Sequence, residues 1–151
     1  MGGDYLIFRL EDTRFVIPSE KVILVSFLPE VTETPVKREY VLGLIYMVER
    51  ISLLLDLKYF LWGKKSDLLW DSVVITLNLD DSLFSIVVDD VERILKGSEV
   101  LQEIEAKLYG VVGRWVEKVI RSGDGDFFYI NLDGLFKEVK EDLSGEVEFY
   151  H

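Results

Sequence analysis

The chain has 151 residues, 49% of them apolar and none cysteine, and its 17 Lys plus Arg against 28 Asp plus Glu give a formal charge of -11. That length and apolar fraction suit one domain with a sizeable core, while the acidic excess repels phosphate backbones and anionic lipid heads and so sets aside nucleic acid and membrane surfaces as partners. Without cysteine there is no disulfide frame, thiolate nucleophile or thiolate metal site, which fits a reducing compartment and makes the cytoplasm the expected location.

The start, Met1-Gly2-Gly3-Asp4, has no basic stretch leading into a long apolar run, and later apolar stretches are cut by charge well short of a span. Neither a signal peptide nor membrane insertion is expected. Tyr5 to Leu10, the polar tip Glu11-Asp12-Thr13 and Arg14 to Ile17 then read as a hairpin. Pro18 ends it, because proline has no N–H for the ladder. Next comes a short segment with apolar residues three apart, Val22 and Val25, led by Ser19, whose hydroxyl oxygen suits free backbone N–H groups. Ser52 to Leu57 is a strand ending in Asp56 that passes into the short helix Lys58-Tyr59-Phe60-Leu61. Trp62-Gly63-Lys64-Lys65-Ser66-Asp67, a glycine within a charge cluster, is the best linker candidate, though too short to separate independent domains.

The same order of elements then returns. Val73 to Leu79, the tip Asp80-Asp81-Ser82 and Leu83 to Val88 form a second hairpin, followed by Val91 and Ile94, three apart and led by Asp89. Ser98 to Leu108 has a loose helical spacing that stops at Gly110 and is expected to be a loop with a turn or two of helix. Gly123-Asp124-Gly125-Asp126 is a tight turn closing a hairpin between Val116 to Ile120 and Phe127 to Leu132, which runs into the short helix Gly134-Leu135-Phe136. The class is mostly β with a few short helices. Its two halves, about 4–62 and 70–139 of a single domain over 1–151, suggest an internal duplication into two small barrels or sheets that pack together, with strands free to exchange between them.

Catalytic chemistry finds little support. The only histidine is the terminal His151, so no histidine base, Ser-His-Asp or Cys-His arrangement can be assembled, and no zinc site either. No phosphate-binding or dinucleotide glycine motif is present, and no cofactor is expected. Asp80-Asp81 and Asp89-Asp90 lie on a hairpin tip and at a strand end, and Asp124 and Asp126 match only a fragment of a calcium loop before the apolar Phe127-Phe128-Tyr129. An enzyme reading survives only as carboxylate chemistry with no pair recommended by spacing, so a non-enzymatic role is expected. Trp62, Trp70 and Trp115 offer either core packing or interface anchors.

The stretch from Tyr40 to Leu57, a strand, a turn and a strand ending in Asp56-Leu57, resembles the most recognisable part of the CheW family. Phe15-Val16-Ile17-Pro18 with Val22 and Val25, the lead-in Thr34-Pro35, Val88-Asp89-Asp90-Val91, Tyr109-Gly110-Val111 and Tyr129 to Asp133 follow in that family's order. The resemblance, from Tyr5 to Val139, implies two SH3-like barrel subdomains sharing a hydrophobic core. It also implies a non-enzymatic scaffold that couples a CheA-type histidine kinase to chemoreceptors. It places protein-binding residues at Ser19, Val22, Val25, Gly43, Val48, Glu49 and Arg50. The chain departs from the family's Asn-Leu-Arg-Gly turn, having Tyr46-Met47-Val48-Glu49: Val48 takes the arginine position and Glu49 the glycine position, with Arg50 two residues beyond Val48. Leu53 and Ser85 stand where the family has a proline and often a glycine. A scaffold for another partner and a barrel enclosing a small apolar ligand are the competing readings.

Overall fold

A computed structural model describes residues 2–47, 49–110 and 113–146. In chain order the elements are β1 (Tyr5–Leu10), β2 (Thr13–Pro18), β3 (Val22–Phe27), β4 (Val41–Met47), β5 (Arg50–Leu55), α1 (Leu57–Trp62), β6 (Val73–Leu79), β7 (Ser82–Val88), β8 (Asp90–Leu95), β9 (Val100–Glu105), α2 (Ala106–Tyr109), β10 (Val116–Ser122), β11 (Gly125–Ile130) and α3 (Leu132–Asp142). The hairpin tips form as their polar residues demand. Asp80 and Asp81 both take positive φ, 51° and 61°, the mirror-image turn whose twist matches the strands it joins.

The strands make two sheets, ordered β8-β1-β2-β11-β10-β9 and β3-β6-β7-β5-β4. If β3 is matched with β8, β6 with β1, β7 with β2, β5 with β11 and β4 with β10, the two orders coincide and β9 is the extra strand. Each half has therefore placed its opening hairpin in the other half's sheet. The joints are equivalent parallel pairings, Phe15 beside Phe128 and Leu53 beside Phe84.

Side-chain alternation along these strands sorts the interior into layers. Leu6, Phe8, Phe15, Leu53, Leu55, Ile75, Leu77 and Phe84 form a shared core between the sheets, where α3 also packs. Phe84 stacks on Phe136 of α3 with ring centroids 4.0 Å apart. The opposite face of the six-stranded sheet closes over Tyr5, Ile7, Val16, Ile120 and Phe127, and that of the five-stranded sheet over Ile45, Met47, Leu54, Val74 and Val87.

Two connections tie down what composition reads as punctuation. Asn131 caps α3 by accepting from the Gly134 N–H at 3.0 Å. Asp56, fully buried ahead of α1, instead accepts from the backbone N–H and hydroxyl of Ser66 at 2.8 and 2.6 Å, which pins the connector after α1 against the body of the fold.

Three local expectations are corrected. Ser98 to Leu108 is mostly the strand β9, after a single 3-10 turn at Gly97–Glu99, with helix only in the short α2. Its ladder with β10 and the Lys118–Glu103 ion pair across it override the loose helical spacing. The segments holding Val22 with Val25 and Val91 with Ile94 are also strands, drawn into ladders with β6 and β1. Ser19 makes no capping bond, and the Asp89 carboxylate accepts from the Glu11 N–H rather than from a helix start.

Candidate docking surface

β3 is an edge strand paired only with β6, and its six residues, Val-Ile-Leu-Val-Ser-Phe, carry no charge. Val22, Val25 and Phe27 lie opposite Leu77, Ile75 and Val73. Directly opposed residues share a face, so the three continue the shared-core layer of Ile75 and Leu77 out to the sheet's rim. Val22 is half-buried against that core, whereas Val25 is 38% and Phe27 68% exposed. A register shift between Val22 and Leu24 leaves Ile23 and Leu24 partly exposed as well.

Of the other expected residues, Arg50 is bonded to the Asp80–Asp81 tip, and Ser19 lies apart from it. On the β3 side, Glu20, Lys21 and Ile23 share a surface hollow with Asn78, Asp80 and Asp81. Ser19 donates its N–H to the Asp4 carbonyl at 3.0 Å and lines a separate hollow of about 220 Å³ with Asp4, Tyr5 and Tyr129. On the β5 side, Arg50 donates to the Asp81 carbonyl at 3.2 Å. Glu49 is exposed with φ 60°, a left-handed conformation that explains why glycine suits this turn. Val48 lies outside the described residues.

Gly43 is the exception, because it is buried on β4 at the sheet's opposite edge. Thr32 and Leu44 exchange backbone hydrogen bonds of 2.8 Å in both directions, drawing the preceding segment across β4. A Cβ on Gly43 would meet Val31 Cγ1 at 2.5 Å and the Thr32 carbonyl oxygen at 2.7 Å, and its φ of 149° also favours glycine. Its place in the surface is as a support beneath the crossing.

Beyond Trp70, which the sequence already offers as an interface anchor, the structure adds further exposed apolar residues. Tyr46 and Ile51 oppose each other across the β4–β5 hairpin and are 65% and 60% exposed. Leu69 and Trp70 project from the turn before β6, Trp70 at 85% exposure, while Trp115 is buried. Hydrophobic composition cannot reveal them, since an apolar strand reads alike in the middle and at the edge of a sheet.

Charge is concentrated elsewhere. Arg14 forks onto Glu92 of β8 at 3.2 and 2.9 Å and reaches Asp124 at 3.3 Å, while Arg93 of β8 bonds Asp124 at 2.8 Å and Glu99 at 3.1 Å. Hydrogen bonds from Arg93 and then Arg14 hold the Asp124 carboxyl below its usual range. Asp126 is likewise lowered, by a two-pronged bond from Arg121 at 2.9 and 3.0 Å and by the Tyr109 hydroxyl. These carboxylates are thus engaged by cationic side chains, and among the described residues no cluster of three or more metal-ligating groups is present. Inside the five-stranded sheet the Ser85 hydroxyl lies 2.8 Å from that of Ser52 and 2.9 Å from that of Thr76, a closed and fully buried chain of polar groups. None of the described helices is long and apolar enough to cross a membrane.

The profile of the CheW-like domain matches residues 4–140. Among solved structures, the crystal structure of the scaffolding protein TtCheW from Thermoanaerobacter tengcongensis superposes with a TM-score of 0.75, at 21% identity, covering 91% of this chain and 94% of that one. That likeness agrees with the expected pair of SH3-like subdomains. A search of curated proteins finds no match.

Proposed function

The chain belongs to the CheW-like domain family, and we propose that it acts there as a non-enzymatic chemotaxis scaffold, coupling a CheA-type histidine kinase to chemoreceptors in the cytoplasm by protein contacts alone. The observation that carries this reading is the apolar strip of Val22 and Val25, which brings the core layer to the surface beside the tip that Arg50 grips. A helical hairpin of a receptor lies along this strip; Ser19, Val48, Glu49 and Arg50 complete the contact set, while Gly43 acts from the opposite edge of the sheet by supporting the segment that crosses β4.

Such a scaffold needs no covalent step, because the free energy comes from covering exposed apolar side chains, with a few central residues dominating. The charge of -11 adds a long-range term that favours a partner with a basic patch, so association slows as salt rises.

The test is binding of a purified chemoreceptor cytoplasmic fragment, with kinase recruitment measured alongside. Val25→Asp and Val22→Asp are expected to weaken receptor binding by roughly tenfold or more, equivalent to about 1.4 kcal/mol. Val25→Asp should leave the melting temperature near that of the wild type, since its side chain stands at the rim. Unchanged receptor binding in a folded Val25→Asp protein overturns the assignment of the strip.

A further inference from the structure

The two sheets end in four edge strands, and three of them are guarded. β8 carries Asp90, Glu92 and Arg93; β9 carries Glu103 and Glu105; β4 is crossed by the segment holding Thr32. Charged side chains and covering segments are the usual means of stopping an edge from pairing with another chain. β3 has neither.

Its backbone is oriented for pairing. The Leu28 N–H donates to the Ser72 carbonyl at 2.9 Å, which makes 28 and 72 a hydrogen-bonded pair. Alternation along the antiparallel ladder then makes Ser26 with Val74 and Leu24 with Thr76 the next such pairs. Val25 and Phe27 belong to the intervening pairs, so their N–H and C=O groups point away from β6 to the open side. At the same end stand Leu69 and the exposed Trp70, in the turn whose Ser72 bonds Leu28.

We propose that the outer edge of β3 is a strand-addition site, where an extended apolar segment of a partner protein, flanked by Lys or Arg, pairs with Val25 and Phe27 and packs a side chain on Trp70. The flanking charges follow from the surroundings. Glu20 and Glu30 bracket the strand and Asp67 and Asp71 bracket the Leu69–Trp70 pair, all four exposed. A second copy of this chain does not fit, since it would bring another charge of -11 and, in a two-fold antiparallel pairing of the β3 edges, set Glu20 of each near Glu30 of the other. The site uses main-chain groups for affinity and alternate side chains for selectivity, as strand addition does elsewhere. It uses the main-chain edge of the same strand whose Val22 and Val25 side chains form the face proposed for the receptor.

The probe is a synthetic peptide, acetyl-Lys-Val-Thr-Val-Thr-Val-Lys-amide, titrated into the full chain labelled with ¹⁵N. Slowed amide exchange at Val25 and Phe27 and a shift of the Trp70 indole are expected. The same peptide N-methylated at alternate residues, which cannot complete the ladder, should bind roughly tenfold or more weakly. Val25→Pro, which removes an outward N–H at an edge position, should weaken the peptide similarly while keeping the spectrum of a folded protein. Equal binding of the methylated and unmethylated peptides, or shifts confined to another surface, overturns the proposal without needing any variant to fold. Concentration-dependent pairing of the chain with itself through β3 also overturns it, by making a second copy the occupant.

Discussion

β3 and β8 hold the same place in their sheets, each beside the first strand of the hairpin contributed by the other half, yet their surfaces are opposite. β3 is uncharged along its length, whereas β8 carries Asp90, Glu92 and Arg93 and is bound to the sheet beside it by Arg9–Asp90 and Arg14–Glu92. A duplicated fold offers two equivalent edges, and side-chain chemistry alone has closed one and left the other open. The asymmetry between these two equivalent edges therefore lies in their side chains.

The comparison is broken most severely if the two edges do not share one scaffold. Phe84→Ala removes the ring stacked on Phe136 in the shared core and should cost about 3–5 kcal/mol. Because each sheet contains a hairpin of the other half, denaturant unfolding followed by circular dichroism and by tryptophan fluorescence should stay a single transition. Two separated transitions would mean that β3 and β8 belong to independent bodies. A smaller loss, about 1–3 kcal/mol, is expected from Gly43→Ala, which forces the new methyl against Val31 and Thr32 and loosens the cover over β4. Denaturant midpoints measure it, and a neutral result would show that the crossing segment yields easily.

On the charged side, Arg14→Ala strips the fork from Glu92 and Asp124 and the guanidinium from above the Phe127 ring. The pairs are partly exposed, so a loss near 1 kcal/mol is expected in thermal melts. Acid should reproduce part of that effect. The folded Asp124 carboxyl titrates below its ordinary value of 3.8, so its contribution is complete above that value and disappears as the pH falls through the lower folded one. The gap in melting temperature between wild type and Arg14→Ala should accordingly be constant near neutrality and narrow below about 3.8; a gap that is unchanged there would show that Asp124 takes no part. The smallest effect belongs to Phe27→Lys, which gives β3 a charge like those of β8 at an exposed position. Stability should move by no more than about 0.5 kcal/mol, while the peptide with Lys ends binds more weakly. A large destabilisation would mean that Phe27 is a core residue after all.

Much of the frame is legible in the amino-acid order. The tips at Glu11–Thr13, Asp80–Ser82 and Gly123–Asp126 and the repeated hairpins follow from turn chemistry acting over a few residues, whereas the second strand-to-helix closure, expected at Asp133, falls at Asn131, which caps α3. The Ser98–Leu108 segment misleads because its spacing fits weakly to helix, and the partner strand that outweighs this, β10, lies beyond the reach of local preference. The surface is legible only in part. Val22, Val25 and Trp70 stand out in the sequence, but Phe27, Tyr46 and Ile51 do not, and Gly43 lies buried beneath the segment that crosses β4.

By itself the sequence determined the mostly β class, the duplication and the residues that turn the chain, because each rests on local conformational preference and on the alternation of side chains along a strand. Only the tertiary structure decided that the hairpins cross between halves, that β3 ends as an open edge while β8 is sealed by ion pairs, and which apolar residues meet water. The physical reason is that strand order and exposure depend on contacts between residues far apart in the chain. An apolar strand has the same local preferences whether it closes a core or borders solvent, and only its neighbours make the difference.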